Sequence, residues 1–216
     1  MLTGYDAKAV AEVMGIAFLR GPEGGPSSAA SLTETARSSE SSTGFPKGDL
    51  VFYVGGTPVL VVEVASKALG QHVRTKGHAY RRSDFKEEPV SSLSPVLIEK
   101  AVERGLPRTA LRHVAECLAG GDKAKVSSLE WGVVPKTTLE RREKQLSPQE
   151  SERTERVARL FVHARRALGT EAEAREFMTT PHPRLDGRSP IDVSRTDLGT
   201  RRTEQILNAL EYGLAL

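Results

Sequence analysis

Few residues of this chain have the type and spacing to do chemistry. Its five histidines are His72, His78, His113, His163 and His182, and its one cysteine is Cys117. None of them shares metal-ligand spacing with another or with a carboxylate pair, so no metal site is expected. Neither a phosphate-binding glycine loop nor a dinucleotide fingerprint occurs, so no cofactor is expected either. Cys117 falls beside the apolar stripe of a helical segment and reads as a small, mostly buried residue.

Two stretches could instead do recognition chemistry. The first is TTPHPRLDGRSPIDV, residues 179–193. Each proline sets its own φ and drives the preceding residue to an extended conformation, so Pro181-His182-Pro183 makes a stiff arm. Gly187 permits a turn that a Cβ would oppose, and Arg188 stands just before the Ser189 cap of a new helix. Such a loop holds the last two helices at a fixed angle. His182 reads as a loop residue in the manner of asparagine rather than as a ligand or an acid–base group.

The second stretch is basic. Residues 135–166 carry nine Lys/Arg against five Glu, a local excess of +4. Two short helices about a tight turn at Trp131–Val134 give a helix–turn–helix pattern, with 135–145 as its second helix. That helix would display Lys136, Thr137, Glu140, Arg141 and Lys144. Cations suit phosphates, and polar side chains suit base edges in a major groove. The competing reading is a charged solvent face on two helices.

The elements that position these residues are mostly helical. Residues 7–20 show an apolar stripe (Val10, Val13, Met14, Ala17, Phe18) and predict a short helix. Residues 21–48 hold 18 Gly, Pro, Ser or Thr among 28 and predict a flexible linker. LVFYVGGTPVLVVEV predicts a β-hairpin at 50–64 about Gly55-Gly56, and residues 70–93 predict loop. From Ser94 the signals are helical: Pro95 at a first helical position with Gly105 as stop, then a helix from Pro107 to Gly120-Gly121. Asp122 caps a third helix through Leu129, and Pro135 opens the fourth. The capping box Ser147-Pro148-Gln149-Glu150 starts a long helix that ends at Gly169. Thr170 and Ser189 cap two more, and a last helix covers 197–212 and stops at Gly213.

With 27% charged and 38% hydrophobic residues, 216 residues suffice for a real core. No apolar run approaches the length of a membrane span, and MLTGYDAKAVAEVMG lacks the pattern of a signal peptide. The single cysteine suits a reducing cytoplasm. A formal charge of only +3 makes any nucleic-acid binding a local property.

EFMTTPHPRLDGRSPIDV, followed by Gly199 and LEYG at 210–213, resembles the toxin-binding domain of the Xre/MbcA/ParS antitoxins. Thr180, Pro181, Pro183, Leu185, Gly187, Arg188, Pro190, Asp192, Glu211, Tyr212 and Gly213 sit on the family pattern. VERGLPRTAL, VPKTTLERR and LSPQESERTERVARLF are similar to the helix–turn–helix half of the same family. The resemblance covers residues 94–216 and leaves 1–90 aside. His182 stands where the family has asparagine, Phe177 where it often has tryptophan, and Pro135 where it has a capping serine.

The resemblance implies a mainly α fold. A helix–turn–helix (Xre-like) domain at 94–168 precedes a small all-α toxin-binding domain at 169–216. A partly disordered N-terminal extension, 1–93, contains the hairpin. It further implies the antitoxin of a RES–Xre pair, non-enzymatic, homodimeric, and partnered with a RES-domain toxin that degrades NAD. The toxin-binding residues would be Arg188, Glu211, Tyr212, Gly213, Leu214 and Leu216, with Leu214 and Leu216 on a short tail either entering the toxin's cleft or folding back. Operator DNA would be met by Lys136, Thr137, Arg141 and Arg142. The alternative is a stand-alone helix–turn–helix regulator. A weaker alternative lies in Asp49 and Glu63-Val64-Ala65-Ser66-Lys67, which resemble a restriction-like nuclease core. There Ala65 occupies the lysine position and Lys67 lies two residues further along the same strand face, so that core reads as degenerate.

Overall fold

The computed structural model describes residues 5–20, 50–54, 57–63, 72–75, 78–81, 86–87, 95–141 and 145–213. The expected linker at 21–48, the Ser94 cap, Asp49, Lys67, Arg142, Lys144 and the tail leucines Leu214 and Leu216 lie outside these residues.

The first helix, α1 (Ala7–Val13), begins where the Asp6 carboxylate accepts a bond from Ala9 N at 3.0 Å. It stops well short of the expected residue 20. Gly15 takes a left-handed φ of +61°, and a Cβ there would overlap the His113 ring. The chain then turns extended as strand β1 (Ile16–Arg20). The apolar run that looked helical is thus split, and Ile16 and Phe18 still reach the core, at 3% and 5% exposure.

The hairpin at 50–64 forms as expected. Strands β2 (Leu50–Val54) and β3 (Thr57–Glu63) pair antiparallel with Val54 opposite Thr57, leaving a two-residue connection. It is not isolated, because β1 pairs along the other side of β3, Ile16 facing Glu63. Residues 70–93 are not simply loop. They hold β4 (His72–Thr75) and β5 (His78–Arg81), paired with each other with Val73 opposite Tyr80, and β6 (Lys86–Glu87), which pairs with β1. The first sheet runs β2-β3-β1-β6. Short polar strands of this kind carry little periodicity of their own; they exist because a neighbouring strand supplies partners for their backbone groups.

The remaining elements are α2 (Pro95–Arg104), α3 (Arg108–Ala119), α4 (Lys123–Val133), α5 (Lys136–Leu139), α6 (Pro148–Leu168), α7 (Glu171–Thr179), α8 (Pro190–Val193) and α9 (Asp197–Glu211). Helix α6 begins in a complete capping box. Glu150 N donates to Ser147 Oγ at 3.3 Å and Ser147 N to Glu150 Oε2 at 2.6 Å. Gly169 ends it at φ +90°.

One apolar cluster runs through α1, α2, α3, α6, α7 and α9, including Met14, Ile98, Leu111, Phe161, Met178 and Leu207. Helix α6 touches all the others. Polar contacts tie the connections to it: Leu106 N donates to the buried Ser151 Oγ at 2.8 Å, and Leu146 N donates to Leu106 O at 2.9 Å. A half-buried polar chain joins the beginning and end of the chain across α6. Tyr5 OH donates to Glu155 at 3.1 Å, Glu155 pairs with Arg159 at 3.3 Å, and Arg159 also pairs with Glu204 of α9. Burial pushes the Tyr5 hydroxyl up, helped by the Glu155 charge, and burial pushes Glu155 up against the pull of Arg159. Among the described residues no helix is long and apolar enough to cross a membrane.

Candidate functional site

Two surfaces carry the residues singled out by sequence. The first is the end of the chain. The 180–189 turn is tightly bonded: His182 N donates to Arg188 O at 3.0 Å, Leu185 N to His182 O at 2.9 Å and Gly187 N to His182 O at 3.2 Å. A single 3-10 turn, Pro183–Leu185, forms inside it, and the His182 ring caps that turn by accepting from Arg184 N at its Nδ1, 3.2 Å away. The imidazole here does what an asparagine side chain would do at a helix start. Its ring also meets Phe177 edge-on, 6.0 Å between centroids.

The tip turns on two left-handed residues, Asp186 at φ +57° and Gly187 at φ +70°. The glycine was legible in the sequence. The aspartate was not, since only a minority of left-handed positions are filled by Asp. Leu185 is fully buried beneath the tip, against Val193 and Ile206. Arg188 is exposed, and its Nη2 donates to Asp192 O at 3.0 Å. Ser189 then caps α8, accepting from Asp192 N at 3.3 Å.

Helix α9 ends in a compact ionic group. Glu211 takes a two-toothed grip from Arg166, Nε to Oε1 at 2.7 Å and Nη2 to Oε2 at 2.9 Å, and its Oε2 lies 3.2 Å from His163 Nε2. The Arg166 bond holds the Glu211 carboxyl below its usual range. Burial pushes His163 below its ordinary value, with Arg166 acting the same way and Glu211 opposing. Glu211 is thus engaged by α6 and orients the end of α9. Tyr212, next in sequence, is 66% exposed, and Gly213 takes φ +61°. Arg188, Tyr212 and Gly213 thus stand at the surface, whereas Glu211 faces inward to α6. Arg166 and His163, which fix that end, carry no short-range sequence signal because they lie 45 and 48 residues away.

The second surface is the helix pair α4–α5. The tight turn expected at Trp131–Val134 is not there. Residues 131–133 continue α4, and the turn is Val134-Pro135. Gly132 is needed for packing rather than for a bend: a Cβ on it would come within 3.3 Å of Ile191 Cγ2, and its carbonyl accepts from Arg195 Nε at 3.0 Å. Helix α5 is one turn, not the expected 135–145. Among that segment's described residues only Leu139 is buried, and the chain returns to bridge Gln145 with Pro107 and seat Leu146 in the core. Lys136 lies 5.0 Å over the exposed Trp131 ring and 3.9 Å from Glu140. Thr137 is exposed at the start of α5, and Arg141 is exposed just past its end.

Among the described residues no three His, Cys, Asp or Glu side chains come together as metal ligands. Cys117 is half-buried, its thiol raised chiefly by burial.

Comparison with known proteins agrees with this division. Residues 163–213 match the family model described as the antitoxin Xre/MbcA/ParS C-terminal toxin-binding domain. Residues 98–159 match that of the antitoxin Xre-like helix-turn-helix domain. Together the two spans cover just over half of the chain. A search of the curated proteins found no match.

Proposed function

We propose, from the premise that this chain belongs to the Xre/MbcA/ParS-type antitoxins, that it is a non-enzymatic inhibitor of a RES-domain toxin that degrades NAD. Its C-terminal part covers the toxin's active-site cleft and excludes the dinucleotide. Its helix–turn–helix half pairs two copies and meets the operator of its own operon through Lys136, Thr137, Arg141 and Arg142. The observation that carries this reading is the match to a toxin-binding domain over 163–213, ending where α9 offers an exposed tyrosine on a helix end clamped by Arg166. A rigid aromatic anchor with a polar tip is the kind of residue that dominates a protein interface. Leu214 and Leu216 follow that anchor in sequence.

The test is co-expression with the protein of the adjoining reading frame, which this reading takes to be a RES-domain toxin. The pair co-purifies and cellular NAD is preserved. Tyr212→Ala weakens the complex by about 2 kcal/mol or more, the size of an interface hot spot, with an unchanged melting temperature. Deleting 214–216 weakens inhibition in the same way. Absence of any complex, with binding to promoter DNA intact, would instead select the second reading, a stand-alone DNA-binding regulator, which the match over 98–159 favours.

A further inference from the structure

The 182–188 turn displays an asymmetry of charge. Five arginines lie between residues 184 and 202. Arg195 sits 4.0 Å from Asp192, Arg201 3.0 Å from Asp197, and Arg202 2.8 Å from Asp186. The other two, Arg184 and Arg188, are exposed, and among the described residues neither side chain forms an ion pair with a carboxylate. Arg188 bonds a backbone carbonyl instead. Both stand on a tip that α9 holds from outside. Arg202 of α9 reaches it with both arms, Nη1 donating to Asp186 Oδ2 at 2.8 Å and Nη2 to Arg184 O at 2.8 Å. It thereby secures the left-handed Asp186, a conformation that a non-glycine residue adopts only when its surroundings hold it there.

We propose that the 182–188 tip is a two-arginine prong, latched by Arg202, whose Arg184 and Arg188 seat against an acidic patch of the protein partner. The proposal rests on the toxin-binding reading and gives it a chemistry. Two guanidiniums on a pre-set backbone lose little entropy on pairing with carboxylates. Exposed charges of this kind act mainly on the rate of encounter and on its salt dependence. Arg202 is a positioning residue: it touches the tip, not the partner.

The experiment measures association and dissociation of the full-length chain with the purified protein of the adjoining frame, taken as the RES-domain toxin, at low and high salt. Arg184→Glu with Arg188→Glu should slow association about tenfold at low salt and flatten its salt dependence. Arg184→Lys with Arg188→Lys should keep most of the rate. Arg202→Ala should raise the dissociation rate severalfold at an unchanged melting temperature. Wild-type rates and salt slope in the double Glu variant would overturn the prong and leave the antitoxin reading standing. Loss of promoter-duplex binding by that variant, with toxin association intact, would overturn it in favour of a nucleic-acid contact. No association by the wild-type chain would remove the reading beneath it.

Discussion

Glu211 is read from sequence as a contact residue, and in the folded chain it also meets Arg166 and His163. A carboxylate gripped at both oxygens by Arg166 gains a fixed orientation. Its neighbour His163 supplies a measurable consequence. The folded chain holds this imidazole below its ordinary value, so below about pH 6.5 the unfolded chain takes up a proton more readily. The stability this group contributes is present above that pH and falls as pH drops through it. Thermal unfolding should therefore show a lower midpoint at pH 5 than at pH 7.5, and His163→Gln should shrink that difference. Glu211 adds a second, lower window. Its depressed value contributes stability that is lost only below about pH 4.3, and Glu211→Gln should flatten that limb.

Helices α8 and α9 meet through a glycine. Gly199 N donates to the Thr196 cap at 3.1 Å, and its missing side chain faces the Val193 carbonyl so closely that a Cβ would overlap it. Backbone cannot swing aside as a long side chain can, so the two helices would have to part. Gly199→Ala should cost about 1–3 kcal/mol, in the range of overpacked cores, although alanine is the better helix former. Denaturant unfolding checks the value. If the variant is as stable as the parent, the close approach of α8 and α9 does not set the angle at which the tip and the C-terminal helix are displayed.

For the whole molecule, the N-terminal segment is part of the core. Met14 is fully buried, and Val10, Val13, Ile16 and Phe18 belong to the same cluster as the α6 stripe. Met14→Ala should destabilise the chain by about 2–5 kcal/mol in a single cooperative transition. A lesser effect, or a separate early transition, would mean that α1 and β1 fold apart from the helical body. The same continuity warns against testing toxin binding by cutting after residue 168. That cut strips Ala174, Met178 and Leu207 from α6, and loss of binding would then report unfolding.

Local chemistry marked most helix ends. Asp122, Ser147, Thr170 and Ser189 each cap a helix as their types suggest, and Gly120, Gly169 and Gly213 take the left-handed conformation that stops a helix. These signals act over three or four residues, so the sequence by itself determined them, along with the hairpin about Gly55-Gly56 and the rigidity of the proline-rich turn. Tertiary structure decided what depends on distant partners. It turned 16–20 into a strand because β3 and β6 offer backbone bonds on either side. It kept Trp131-Gly132-Val133 helical because Ile191 and Arg195 come close to Gly132. It shortened α5 because Gln145 and Leu146 are drawn back to the α2–α3 connection. It set the tip and the end of α9 through Arg202 and Arg166, each many residues from the group it holds. A capping hydroxyl finds its amide within one turn, whereas a guanidinium finds its carboxylate only after the chain has folded.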